Sequence, residues 1–244
     1  MYFEGALSMT YGLIFAAGKQ RRFGVDTPKA LTQFGDRILL DVNMLNLGEY
    51  CDKVYVVCSI ENEGYFYTYP RIVIRSGKGS GDAVLNALSK LDLSEGDNCF
   101  IMWGDSYCTP DVIKYTYTHR ASATRALLVP CEVVNNPYVR LEPDTQCMTA
   151  KVYFKKHGDD VKPGFHDLSL FYGDCLYIKQ CLCKMKQLFY DDKKKSYIHK
   201  HGNELEFLDI FNDVSAHCKI LKVDSNGSFS FNKLSDIEKD TCII

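Results

Sequence analysis

The segment FAAGKQRRFGVDTPKAL, residues 15–31, follows an apolar run with a glycine, then two arginines, then a Pro-Lys pair. Gly18 permits a sharp turn that brings backbone N–H groups close to an anion. Arg21, Arg22 and Lys29 add positive charge, two as rigid planar forks and one as a mobile ammonium. An ordinary strand-to-helix loop with solvated basic residues fits this segment equally well when it is taken alone. SGKGSGDAVLNAL, 76–88, is a second glycine-rich turn, and it opens a helix. Gly79, Ser80 and Gly81 would let a planar group lie against bare backbone, with the Ser80 hydroxyl at hand. No Gly-Lys-Ser/Thr closes it, so it is not a Walker loop, and a plain helix N-cap is the alternative. FIMWGDSY, 100–107, sets Asp105 at the tip of an apolar strand. A carboxylate there suits a hard cation such as magnesium, which takes few protein ligands when phosphates complete its shell. The competing role is that of a cap for the helix starting near Pro110.

The elements that must position these residues alternate. Tyr11–Phe15, Lys53–Cys58, Arg71–Arg75, Cys99–Trp103 and Thr124–Val134 read as strands, and Ile38–Leu47, Gly81–Leu91 and Asp111–His119 as helices. Such alternation predicts a mostly parallel sheet covered on both faces. Beyond residue 135 come shorter strands (Tyr138–Leu141, Met148–Phe154, Leu168–Tyr172), helices over Asp174–Tyr190 and Glu204–Ser215, and a hairpin-like piece at Asp224-Ser225-Asn226-Gly227. Ligands of open α/β sheets lie beyond the C-terminal ends of strands. Gly18, Gly77–Gly81 and Gly104-Asp105 all fall at such ends.

Composition narrows the classes. A chain of 244 residues with 46% hydrophobic content can bury one full core. One domain over 9–244 is expected, with residues 1–8 a disordered or non-native extension. A formal charge of −2 argues against a general nucleic-acid binder, and Lys193-Lys194-Lys195 beside Asp191 and Asp192 reads as a solvated turn. No apolar run approaches the ~20 residues of a membrane span, and no signal-peptide layout precedes the first strand. The eleven cysteines are scattered, with Cys58, Cys99 and Cys131 in strand-like runs where Cys acts as a small core residue. Cys181-Leu182-Cys183 lacks a second pair at zinc spacing, and Cys242 misses the prenylation position. Free thiols in a reducing cytoplasm follow. His119, His157, His166, His199, His201 and His217 read as surface or capping residues, leaving no nucleophile–base pair. Tyr65, Phe66, Tyr67 and Tyr69 read as a helix end packed on the sheet, and Leu205, Phe207, Leu208, Ile210 and Phe211 as the core side of a helix.

Taken in order, FAAGKQRRF…PKAL, then GSGDA, then GD on an apolar strand resembles the nucleotidyltransferase superfamily with the GT-A-like fold. That superfamily includes sugar-1-phosphate nucleotidyltransferases, small-molecule cytidylyltransferases and molybdopterin nucleotidyltransferases. KILKVDSNGSFSFNKLSDIEK, 219–239, is similar to its closing strand pair and turn. The resemblance implies a single-domain, Rossmann-like α/β/α sandwich with a smaller β-rich lobe on the acceptor side.

The same resemblance implies roles. Phe15, Ala16, Ala17, Gly18 and Lys19 would hold nucleobase and ribose, with Gly79, Ser80, Gly81, Ala83 and Gly104 lining the base pocket. Arg22 would bind the β- and γ-phosphates and Lys29 the α-phosphate, both as catalytic groups. Asp105 and Asn232 would hold Mg2+. Lys162 and Glu206 fall on the acceptor side, where Lys155 and Lys156 compete with Lys162. Gln20 stands where many members have a second glycine, and Ser169 near where many have a glycine beside the acceptor. The implied reaction joins a nucleoside triphosphate, CTP slightly ahead of UTP, to a phosphorylated small molecule with release of pyrophosphate. The product would feed surface polysaccharide, made by a cytoplasmic monomer or homodimer without nucleic-acid or membrane partners. The molybdopterin branch fits less well, because its members usually shorten the gap between arginine and lysine. A GT-A glycosyltransferase, which normally carries an acidic D-x-D motif, and a catalytically silent nucleotide sensor are the alternatives.

Overall fold

Strand β1 (Thr10–Phe15) is apolar nearly throughout because both of its faces are covered. Leu13 enters one core layer and Ile14 the other, and neither is accessible. The structure, a computed structural model, describes residues 8–18, 27–75, 77–144, 146, 148–159, 162–199 and 202–224, with the backbone of 228–230. After β1 come a small hairpin, β2 (Gln33–Phe34) and β3 (Arg37–Ile38), then α1 (Leu39–Gly48), β4 (Lys53–Ser59) and β5 (Arg71–Ile74). Next are α2 (Ser80–Leu88), β6 (Asn98–Trp103), β7 (Ser106–Cys108), α3 (Pro110–Thr118) and β8 (Leu127–Val134). The chain continues through β9 (Val139–Pro143), β10 (Ala150–Phe154), β11 (Gly164–Asp167), β12 (Leu170–Asp174) and α4 (Cys175–Phe189). It ends in β13 (Tyr190–Asp191), β14 (Ser196–Tyr197), α5 (Asp209–Asp213), β15 (Cys218–Lys222) and β16 (Ser228–Ser230).

One ten-stranded sheet organises the molecule. Strands β5, β4, β1 and β6 run parallel, with Leu13 opposite Tyr55 and Ile101. Strand β12 enters antiparallel between β6 and β8, and β15 returns parallel along β8. Helices α2, α4 and α5 pack on one face through Val84, Ile178 and Ile210, while α1 and α3 cover the other through Leu40 and Ile113. This is the expected mostly parallel α/β/α sandwich. Strands β9, β10 and β11 extend it as the smaller β-rich lobe. Strands β11 and β12 are halves of a single line along β8. Asp167 faces Cys131 and Tyr172 faces Leu128, five steps against three, so Leu168 and Ser169 form a bulge. Ser169 takes φ of 61°, the left-handed region that favours glycine. At the lobe's outer margin, Asn212 of α5 donates from Nδ2 to Val152 O and accepts from Val152 N at Oδ1, both at 2.9 Å.

Several expectations need correction. The helix expected over Glu204–Ser215 is confined to Asp209–Asp213, because the residues before it pair their backbone elsewhere: Leu205 N donates to Lys78 O and Gly81 N to Leu205 O. The expected closing hairpin does not form between β15 and β16, which pair with β8 and β7 respectively, and residues 225–227 of its turn lie outside the described residues. The long strand begins at Leu127 rather than Thr124. The Tyr65–Tyr69 stretch belongs to a 3-10 helix, Ile60–Phe66, and its continuation, with Phe66 in the core as anticipated. The side chain of His199 is buried, not superficial.

The described cysteines are free. Burial pushes the thiols of Cys58, Cys108 and Cys131 above their ordinary range. At Cys99 the contact with Cys175 leads, and burial follows. Thiolate is the reactive form, so iodoacetamide at mildly alkaline pH should leave these four unmodified in the native protein. Peptide mass mapping checks this, and labelling of any of them before unfolding would contradict the core described.

Candidate functional site

Two strand ends meet at one level. Gly104 N donates to Phe15 O at 2.9 Å, and a Cβ on Gly104 would lie 2.8 Å from that oxygen, so a side chain there would push β1 and β6 apart. The turns following the two strands therefore open on one rim. Ala16 N donates to Val57 O at 2.8 Å, so Phe15 and Ala16 continue the sheet while Ala17 and Gly18 emerge from it.

On that rim Lys29, in the 3-10 turn Lys29–Leu31, reaches Asp105: Nζ to Oδ2 is 3.3 Å, with side chains 16% and 37% exposed. An ammonium thus stands beside a carboxylate on this rim, the Asp105 side chain being the more exposed of the two. Lys19, Gln20, Arg21, Arg22 and Asn232 lie outside the described residues. The closing strand does reach this place, because β16 pairs with β7 so that Ser230 faces Ser106, the neighbour of Asp105.

The second glycine turn is locked to a segment that the sequence reading gave to a helix. Gly79 has φ of 99°, and a Cβ on it would lie 2.4 Å from Leu205 O. On Gly81 a Cβ would lie 3.1 Å from the same oxygen. The Ser80 hydroxyl donates to Glu206 Oε2 at 3.0 Å and accepts from Phe207 N at 2.8 Å. Asp82 braces the turn from within, accepting from Lys78 N at 3.1 Å and from the Tyr197 hydroxyl at 2.6 Å. Burial first, and then the bond to Asp82, push the Tyr197 phenol well up, so it stays a donor. These glycines have a close backbone approach to Leu205 and Glu206 as a physical reason of their own.

Of the two residues expected on the acceptor side, Glu206 is 11% exposed and pairs with Lys156 Nζ, with His157 Nε2 at 4.0 Å. Lys155 donates to Asn136 Oδ1 instead, and Lys162 is exposed. Of the three competing lysines, Lys156 is the one joined to Glu206. Sequence reading missed the aromatic wall linking the two halves. Trp103 meets Phe15, Phe171 and Phe207 with ring centroids 5.6, 5.7 and 5.9 Å apart. Its signal was available in Trp103 directly preceding Gly104-Asp105.

Gly79→Ala should lower the thermal unfolding midpoint by more than Gly158→Ala does. Both positions have positive φ, but a Cβ at Gly158 meets nothing within 4 Å. The expected loss at Gly79 is roughly 2 kcal/mol or more. Equal losses would show that backbone strain, not contact with Leu205, sets the requirement.

A family model described as a MobA-like NTP transferase domain matches residues 12–203. No curated protein matches the chain. Among solved structures, HddC from Yersinia pseudotuberculosis has a TM-score of 0.67 at 15% identity, covering 96% of this chain and 98% of that one. It has also been solved complexed with GMP-PN. The inositol-1-phosphate CTP transferase from T. maritima gives 0.67 at 13% identity, with 94% and 91% covered. A Bacillus anthracis protein named as a glucose-1-phosphate thymidylyltransferase, solved with a sucrose, gives 0.73 at 14% identity, with 96% and 94% covered. At such identities these three likenesses are of fold. The family match spans most of the chain, and the chain belongs to the MobA-like NTP transferase domain family.

Proposed function

We propose that the chain transfers a nucleotidyl group from a nucleoside triphosphate to the phosphate of a small molecule, of the sugar-phosphate class, and releases pyrophosphate. The observation that carries this reading is Lys29 and Asp105 meeting at 3.3 Å beyond two level strand ends. Family membership supports it, as do fold neighbours named for inositol-1-phosphate and glucose-1-phosphate. No helix among the described residues is long and apolar enough to cross a membrane. CTP is the triphosphate we favour, ahead of UTP, and surface polysaccharide the destination of the product.

The donor set suits magnesium, which takes one or two protein oxygens and completes its shell with phosphate and water. Asp105, with Asn232 as the second donor, would hold it, and the bound ion would offset charge on the triphosphate. Lys29 turns from Asp105 to the α-phosphate and stabilises the crowded phosphorus. Arg22 holds the β- and γ-phosphates and the departing pyrophosphate. Phe15, Ala16, Ala17, Gly18 and Lys19 border the ribose, while Gly79, Ser80, Gly81, Ala83 and Gly104 flank the base. An oxygen of the acceptor phosphate attacks the α-phosphorus, the bond to the bridging oxygen breaks, and its electron pair leaves with pyrophosphate. The attacking oxygen is already anionic, so alignment and electrostatics suffice without a general base. Lys156 with Glu206, rather than exposed Lys162, presents charge to the acceptor.

Pyrophosphate release should appear with magnesium, one of CTP, UTP, GTP or dTTP, and a phosphorylated acceptor. UDP release from a UDP-sugar would instead establish glycosyl transfer, and tight nucleotide binding without turnover a sensor. Lys29→Ala should cut turnover on the order of a hundredfold or more while leaving the unfolding midpoint close to wild type. Unchanged turnover overturns the reading. The helix expected to be capped by Asp105 starts instead from Thr109, and Asp105→Asn should raise the magnesium concentration needed for half-maximal rate; an unchanged magnesium dependence would overturn that role.

A further inference from the structure

Behind the wall formed by Leu205–Phe207 lies a charged cluster that the proposed reaction does not use. His199 is 1% exposed at its side chain and Asp209 0%. Each ring nitrogen faces a different carboxylate: Nε2 is 2.7 Å from Asp213 Oδ2 and Nδ1 is 3.6 Å from Asp209 Oδ2. Asp209 and Asp213 stand one turn apart on α5, which places them on the same side of the helix. A carboxylate this deep is costly unless other groups answer its charge. His199 is itself fixed, with its ring edge-on to Phe189 of α4 at 4.7 Å and its backbone exchanging hydrogen bonds with Gly202.

We propose that His199 is a positioning residue: through Asp209 and Asp213 it seats α5, and α5 sets where both substrates meet the site. The assignment rests on the nucleotidyl-transfer reading. Helix α5 touches both sides of that site. Toward the glycine turn, Asp209 N donates to Glu206 O at 3.2 Å and Ile210 N to Phe207 O at 3.3 Å, next to the Ser80 and Leu205 contacts. Toward the lobe, Asn212 binds both backbone groups of Val152 in β10, whose chain leads to Lys156 and back to Glu206. Loosening α5 would therefore shift Phe207 and Glu206 together.

Trp103 is the only tryptophan of the chain, and its ring centroid is 5.9 Å from that of Phe207, so its emission reports on the wall without any turnover. His199→Gln should shift Trp103 emission while thermal unfolding stays cooperative. It should raise the KM for the triphosphate and for the acceptor, each on the order of tenfold, with kcat within about twofold, the pattern of lost positioning in binding. If His199→Gln fails to fold, Asp213→Asn, at the more open end of the cluster, should give the same two readouts. Wild-type emission and KM in a folded variant would overturn the proposal. Stoichiometric zinc retained by wild type and lost in His199→Gln would also overturn it, since the cluster would then be a metal centre. Absence of pyrophosphate release from wild type would remove the reaction while leaving the emission comparison to test the seating of α5.

Discussion

The bond from Gly104 N–H to Phe15 C=O, 2.9 Å long, holds the ends of β1 and β6 level, and the candidate site depends on that alignment. Parallel neighbours necessarily finish on the same edge of a sheet, but they finish at the same height only if their register is fixed. Register here is enforced just below the rim. A one-residue slip of β1 would exchange Leu13 and Ile14 between opposite core layers. Burial of ordinary aliphatic side chains thus decides that a lysine following one strand finds an aspartate following the other. Coulombic attraction between Lys29 and Asp105 contributes little by itself at such exposure. Packing brings the charges together, and chemistry can then use them.

The other half of the site is held by backbone. Leu205 both receives a hydrogen bond from Gly81 N and donates one to Lys78 O, crossing the glycine turn as though it were a short strand. Only glycine at Gly79 tolerates that approach together with φ of 99°. Ser80 and Asp82 then tie the turn to Glu206, Phe207 and Tyr197, drawing in parts of the chain more than a hundred residues away. Phe207 carries the connection to Trp103 and hence to the rim that bears Asp105.

How much of this was legible in the sequence follows from where each signal resides. Strands β1 and β6 and helix α2 declare themselves because full burial demands continuous apolar runs and a 3.6-residue period, both visible in one dimension. Asp105 was legible because it closely follows such a run, and Lys29 because it closes the glycine- and arginine-rich segment that follows another. The segment before α5 was not. Its apolar residues fall at helical spacing, yet its hydrogen bonds go to Lys78 and Gly81, and long-range pairing overrode local preference. His199 misled for a similar reason, since a polar neighbourhood in sequence says nothing of two aspartates ten and fourteen residues on that fold over it. That Lys156, and neither Lys155 nor Lys162, pairs with Glu206 required knowing where Glu206 sits, which only the folded lobe supplies.

Asn212 at the margin of the sheet has a consequence for the molecule's behaviour in company. A side-chain carboxamide offers the same donor and acceptor as a peptide group, so at Val152 it stands in for one residue of an additional strand. Two residues on, the next outward-facing backbone of β10 is that of Phe154, whose N–H donates to Asp159 Oδ2 at 2.7 Å and whose carbonyl accepts from Asp159 N at 3.3 Å. Another chain seeking to extend the sheet at β10 would have to dislodge both the amide and the aspartate. This border is therefore guarded against fibrous growth by a residue belonging to a helix.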